Sequence, residues 1–326
     1  MPWRGVLRTL SLPGLFFLIV GLYMVFEALF ANLGVLLVQP VLGVRDMEDL
    51  TDLLFRPSDE ELADPAVRFA IQLLNILAAF GKLLAGLFFL SLVGKHPITE
   101  LGIRQRPSWL LLVMAVAAVL LSGPFIDGLH AFNQNLPLTG EWADQLREWE
   151  TAAGRLTGAL VEPGSFLAML TTFLMIVVLA PAWEELVFRG IIQRILEAWT
   201  RNGHVAVWIA AALFSAIHLQ FLSFIPRMAL AVILGYAYLY SRNLWVPILA
   251  HVANNGSYVL YSWFTGKAPE PSDPIMTYVL LSMAVVLLLI VALHRFRNRD
   301  AAPPWVGLPI VIPPSGEDGP PTSDRS

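Results

Sequence analysis

The stretch that decides the fold is LPGLFFLIVGLYMVFEALFANLGVLLV, Leu12–Val38, an unbroken apolar run whose single charge is Glu27. A helix needs about 20 mostly apolar residues to cross a bilayer, and this run exceeds that length. Arg4 and Arg8 precede it, as in a signal peptide. The run is too long for one, and no small-x-small cleavage site closes it, so it reads as an uncleaved first span. Seven further candidates follow near Phe69–Val93, Trp109–Phe125, Ser165–Ala182, Val205–Leu222, Met228–Tyr240, Leu244–Trp263 and Met276–Leu293. The sixth of the eight is short and begins at Pro226. The expected fold is all-α, a polytopic membrane helical bundle of about eight transmembrane helices.

Composition agrees. Of 326 residues, 56% are hydrophobic and 14% charged, against roughly 45–50% and about 25% in soluble proteins. The mean hydropathy is +0.65. So few charges cannot cover a soluble surface while such long apolar runs stay buried, which excludes a secreted domain and a soluble cytosolic enzyme. A net charge of −4 implies no basic surface for nucleic acid. Without cysteine there are no disulfides, thiol nucleophile or thiolate metal ligands.

Four regions are expected. Residues 1–160 carry N-terminal spans with polar extracytoplasmic loops, 161–266 a membrane core, 267–300 the last span, and 301–326 a proline-rich, disordered cytoplasmic tail. Lysine and arginine set orientation. With the N-terminus cytoplasmic, Arg4, Arg8, Lys95, Arg104, Arg106, Arg189, Arg194, Arg201, Arg242, Arg295, Arg297, Arg299 and Arg325 fall inside and seven basic residues outside. Both termini are then cytoplasmic, in a membrane taken to be a prokaryotic plasma membrane. The longest polar insert, Ile126–Pro163, offers an amphipathic surface helix over Gln145–Leu160 with Trp149, Leu156 and Leu160 on one side.

An ionisable group within a span is costly and points to function by default. Glu27 and Lys82 fall at similar depth on the first two spans, where a structural ion pair competes with a transport or substrate role. The C-terminal half is denser. Trp183-Glu184-Glu185-Leu186-Val187-Phe188-Arg189 reads as the end of the fourth span. Adjacent carboxylates repel if both ionise in a low-dielectric site. Arg189, four residues after Glu185, can pair with it on one helical face, leaving Glu184 about 100° away and free to face a cavity as a base. Phe214 and His218 share a face at i, i+4 in the fifth span, as do His251 and Asn255 in the seventh. Taken singly, these groups also fit a wet interfacial patch, a histidine bonded to a backbone carbonyl, or interhelical hydrogen bonds. Together they supply the base, water-orienting group and oxyanion donors that peptide hydrolysis needs.

The three motifs EELVFR (Glu184–Arg189), FSAIH (Phe214–His218) and HVANN (His251–Asn255) resemble the CAAX prenyl protease and bacteriocin-processing family of intramembrane proteases, the type II CAAX endopeptidases. The resemblance covers roughly 165–264, and Leu101-Gly102-Ile103-Arg104 resembles a loop that precedes the core in bacterial members. It implies an endopeptidase acting on a membrane-associated protein or peptide. Glu184 would activate water, and His218 would hold it. His251 and Asn255 would face the oxyanion, and Glu185 with Arg189 would support the first motif. The family is usually labelled as metalloproteases, and His218, His251 and Glu184 can supply the three ligands a zinc ion wants. No H-E-x-x-H occurs, and a metal-free reading stays open. A cavity reached from the cytoplasmic side is expected, since the first motif is read at a helix end. The rivals are a non-proteolytic scaffold or immunity-type protein of the same fold and, against the absence of obvious internal repeats, a transporter.

Overall fold

The computed structural model describes residues 7, 10–93, 99, 101–269 and 275–297. Among them are twelve helices: α1 (Leu12–Leu42), α2 (Met47–Phe55), α3 (Asp59–Ala63), α4 (Pro65–Val93), α5 (Trp109–Leu120), α6 (Gly123–Gln134), α7 (Glu141–Val161), α8 (Phe166–Thr200), α9 (Gly203–Ala216), α10 (Phe224–Ser241), α11 (Trp245–Thr265) and α12 (Met276–Arg295). The all-α polytopic bundle is as expected. The tail 301–326, with Arg4, Arg8, Lys95, Arg299 and Arg325, lies outside the described residues.

The span count differs from eight. Five helices are long and apolar enough to cross a membrane, or six if α5 and α6, bent by 41°, form one span. α9 is too short at 14 residues, and α11 carries the polar motif that lowers its hydropathy. α8 is the informative difference, because it continues to Thr200 and is 35 residues long. The first motif therefore sits near the middle of a helix and not at its end. Arg189 and Arg194, counted as cytoplasmic from sequence, are buried within it. A hydropathy reading stops at charges because it treats each as solvated, whereas paired charges let an apolar helix run on.

Outward faces are apolar where lipid would lie. Phe17, Met24, Leu29 and Leu36 of α1 and Leu281, Leu288 and Val291 of α12 are exposed. α1 and α4 pack as an antiparallel pair. Two small residues of α4 permit its close contacts: a Cβ at Gly81 would lie 2.9 Å from the Phe26 carbonyl of α1, and one at Gly86 2.9 Å from Leu186 of α8. The core between α8, α9 and α10 is built from Val187, Phe188, Ala210, Phe214 and Ala231.

The insert is ordered. Its first part is α6, and its second is α7, longer at both ends than expected. Leu160 is buried and Leu156 packs beside it against α4, while Trp149 is largely exposed. Buried Gln72 of α4 ties the three helices together, donating to Thr172 Oγ1 at 2.9 Å and to the Leu160 carbonyl at 3.3 Å. In the loop before α3, Ser58 and Glu61 form a capping box. The hydrogen bonds from the Ser58 backbone and hydroxyl hold the exposed Glu61 carboxyl below the usual carboxylate range.

The loop after α4 docks on the turn between α10 and α11. Asn243 donates to the carbonyls of Gly102 and Gln105 at 3.0 and 2.9 Å, and the Trp245 indole donates to Ile103 at 3.1 Å. Gly102 has φ +71°, and a Cβ there would lie 2.4 Å from the Arg242 carbonyl. Gly43 shares the left-handed conformation at φ +68° but has nothing within 4 Å. Gly43→Ala should cost only the left-handed strain of about 1–2 kcal/mol. Gly102→Ala should cost more and lower the thermal unfolding midpoint further. Detergent-solubilised unfolding curves of the two variants check this.

Candidate active site

α8 is irregular where the first motif lies. Residues Phe173–Leu179 and Phe188–Ile192 are π-helical, flanking the regular turn Ala180–Val187. Such π segments inside α-helices occur often at functional sites. The first has a visible cause. The Ala180 N–H bonds the Met175 carbonyl, five residues back. The next N–H in that register would serve Ile176, but residue 181 is proline and has none. Asn255 Nδ2 of α11 donates to the Ile176 carbonyl instead, at 2.9 Å. Asn254 in turn donates to Asn255 Oδ1 at 3.1 Å. The second amide motif is thus engaged in holding the helix that carries the first.

The three motifs converge on one locus. Glu185 is fully buried. Its Oε1 accepts from Arg189 Nη1 at 2.9 Å and from His251 Nδ1 at 2.8 Å. The pairing of Glu185 with Arg189 at i, i+4 is the expected one. Because a carboxylate accepts, His251 carries its proton on Nδ1, and its Nε2 points to Glu184 Oε2 at 3.7 Å. That gap exceeds a hydrogen bond and suits a bridging water. Histidine 251 therefore spans both carboxylates of the motif. Glu184 has no ion-pair partner nearer than this among the described residues, and it is slightly more exposed than Glu185.

His218 lies just past the end of α9, not within a span. Its Nδ1 donates to the Phe214 carbonyl at 2.7 Å, which leaves Nε2 with the lone pair. It is partly exposed. Phe214 is the platform for the group. Its ring centroid is 4.9 Å from that of His218, 6.3 Å from His251 and 5.0 Å from Phe188, and the Arg189 guanidinium lies 5.1 Å above it. A cation over an aromatic face is attractive when desolvated.

Sequence reading missed two contributors. Gln193 continues the four-residue spacing of Glu185 and Arg189, and Glu197 extends it by one more step. Arg189 Nη2 donates to the Ala231 carbonyl at 2.9 Å, and Gln193 Nε2 donates to Gly235, one turn on, at 3.1 Å. Glu197 accepts two bonds from Arg242 at 2.8 and 2.7 Å. The i, i+4 periodicity of polar residues was the available signal. Lys82 also borders the site. Its Nζ bonds Glu27 Oε1 at 2.8 Å and lies over the rings of Trp183 and Tyr23 at 4.9 and 5.4 Å. Glu27 and Lys82 do pair, and they do so against the residue preceding Glu184.

Residues 166–257 match the family model described as type II CAAX prenyl endopeptidase Rce1-like. This segment is therefore similar to Rce1-like proteins. It contains all three motifs and the helices α8 to α10 with the first half of α11. Over 72 residues the chain is 36% identical to the uncharacterized protein YpbD of Bacillus subtilis (strain 168), a match covering 21% of this chain and 33% of that protein. The chain thus spans about a third of the length of that curated relative. No solved structure matches.

Within the Rce1-like segment, Glu185 and Arg189 depend on each other for burial. Breaking a buried pair by removing one partner costs about 3–5 kcal/mol. Arg189→Met and Glu185→Gln should each lower the unfolding midpoint strongly, and Glu184→Gln should leave it near the parent. Thermal unfolding in detergent distinguishes the two classes.

Proposed function

We propose that the protein is an intramembrane endopeptidase that hydrolyses a peptide bond of a membrane-associated protein or peptide by glutamate-activated water. The observation carrying this reading is His251 held between Glu185 and Glu184, with Nδ1 committed and Nε2 facing a carboxylate at 3.7 Å. A scaffold needs no such histidine held between two buried carboxylates.

In this mechanism Glu184 takes a proton from a water held by the free Nε2 of His218 or His251. The hydroxide attacks the scissile carbonyl carbon and the C=O π pair moves onto oxygen. When that pair returns, the C–N bond breaks and Glu184 gives the proton to the leaving nitrogen. The products are a carboxylate and an amine. Burial strengthens each electrostatic contact.

A zinc centre wants three protein ligands. Among the described residues no group of three or more His, Asp or Glu side chains is disposed to hold a metal ion. Glu185 is committed to Arg189 and His251. His218, His251 and Glu184 do not form the closed three-ligand set of a zinc centre, and no step is routed through a metal.

The basic bias, which persists without Arg189 and Arg194, supports a reading with both termini in the cytoplasm, in a membrane we take to be a prokaryotic plasma membrane. α9 runs back along α8 from its Thr200 end and brings the partly exposed His218 level with the motif midway along α8. The chain has no native cysteine, so single cysteines report topology cleanly. Thr139→Cys should react with an impermeant maleimide in intact cells and Gln105→Cys only after permeabilisation. The inverse pattern would invert the orientation.

Glu184→Gln and His218→Ala should slow cleavage by about 10²–10⁴-fold in folded protein. Membrane peptidomics of the native cell should show new termini that are present with the parent and missing with Glu184→Gln. Parental cleavage by both variants would refute the assignment. Treatment of the purified protein with 1,10-phenanthroline should leave cleavage unchanged. A loss restored by zinc would overturn the metal-free reading.

A further inference from the structure

The turn between α9 and α10 is tightly built, and it carries a cation that belongs to none of the three motifs. The Ser215 hydroxyl donates to the Phe224 carbonyl at 2.7 Å. Asn133 of α6 donates to the Phe221 carbonyl at 3.0 Å and accepts from the Ile225 N–H at 2.8 Å. Leu219, next to His218, is left-handed at φ +55°, a conformation unfavourable for a branched side chain and found preferentially at functional sites.

Arg227 stands one turn into α10. Its Nη2 donates to Gln220 Oε1, and its Nη1 is buried without a partner. Glu150 of α7 mirrors it: Oε1 accepts from the Ser223 hydroxyl, and Oε2 is buried without a partner. Five buried side-chain atoms lack partners among the described residues, and two of the five lie at this junction. An orphaned buried donor costs about 1–3 kcal/mol, and more when charged, so its retention calls for an explanation. The carboxylates that act on Arg227 are Glu150 and Glu184, and Arg227 in turn acts on His218. The guanidinium is tied by Gln220 to the turn that follows His218.

Hydrolysis needs a donor aimed at the developing oxyanion. Of the two donors expected from sequence, His251 commits Nδ1 to Glu185, and Asn255 gives an amide N–H to the Ile176 carbonyl that holds its side chain against α8. Two other cations near Glu184 are occupied, Lys82 by Glu27 and two aromatic faces and Arg189 by Glu185 and the Ala231 carbonyl. Arg227 keeps an N–H free.

We infer that Arg227 is a catalytic residue, donating from Nη1 to the scissile carbonyl oxygen as negative charge builds there, and that Glu150 of α7 is its positioning residue. This rests on the peptidase reading. Hydroxide attack moves the C=O π pair to the oxygen, and Arg227 stabilises that charge without giving up its proton. The pair returns as the C–N bond breaks and Glu184 protonates the nitrogen. α7 precedes residue 166, so the site is completed from outside the Rce1-like segment.

The test follows, in the native cell, the initial rate at which parent-specific membrane-protein termini appear after induction. Glu184→Gln is the reference, and thermal unfolding monitors the fold. Arg227→Gln should slow appearance by about 10²–10³-fold with an unchanged unfolding midpoint. Arg227→Lys, keeping charge but losing the fork, should fall between it and the parent, and Glu150→Gln should also be slowed. Parental rates in Arg227→Gln, with termini missing in Glu184→Gln, would overturn the proposal and leave the peptidase reading standing. If Arg227→Gln fails to accumulate, Arg227→Lys decides, a reduced rate supporting the proposal and a parental rate overturning it. If no termini depend on Glu184, the peptidase reading itself fails, and this proposal with it.

Discussion

One oxygen organises this molecule. Glu185 Oε1 accepts from Arg189 of its own helix and from His251 of α11. A carboxylate and a guanidinium in the middle of an apolar bundle are each expensive to desolvate, and only close pairing with further hydrogen bonds offsets that cost. Arg189 adds a bond to α10 through the Ala231 carbonyl and rests on Phe214 of α9. Four helices are thereby held to a single charge pair. The same pairing sets the tautomer of His251, so the constraint that stabilises the core also aims a ring nitrogen at Glu184.

The irregularity of α8 follows from the same economy of donors. Pro181 removes an N–H that a π turn would need, and an amide from α11 replaces it. Histidine 251 and Asn255 stand one turn apart on α11 and hold α8 at Glu185 and at Ile176. Two contacts on one helix face fix both the depth and the rotation of the carboxylate motif. Further along, Gln193 and Glu197 repeat the pattern against α10 and the start of the next turn, so α8 is anchored along its polar edge while its other faces pack on apolar residues.

The regions outside the Rce1-like segment do more than enclose it. α4 brings Lys82 against Trp183 because Gly81 and Gly86 let it lie close to α1 and α8 at once. α7 brings Glu150 to the turn that follows His218. α4 thereby contributes the charge of Lys82 to the neighbourhood of Glu184, where a low dielectric makes such a contribution count. A segment of matched residues supplies the motifs, and the chain's own N-terminal half supplies much of their electrostatic setting.

Much was legible in the sequence because it depends on local spacing. Apolar run lengths establish an all-helical membrane bundle, and a separation of four residues places Glu185 beside Arg189 on any helix. The three motifs also mark the resemblance without coordinates. What eluded the sequence depends on partners distant along the chain. The end of the fourth span was misplaced because buried charges look solvated until His251 and Ala231 are brought against them. His218 was placed within a helix because nothing local announces that Ser215 and a left-handed Leu219 turn the chain there. The insert looked peripheral, yet Glu150 of α7 bonds Ser223 in the turn that follows His218, 73 positions away. The sequence by itself determined the helices and their membrane character, since these follow from periodicity and composition. Only the tertiary structure decided which nitrogen of each histidine is free, which carboxylate is committed and which cation keeps a donor to spare. Those are set by hydrogen bonds between helices, whose geometry no spacing along one chain encodes.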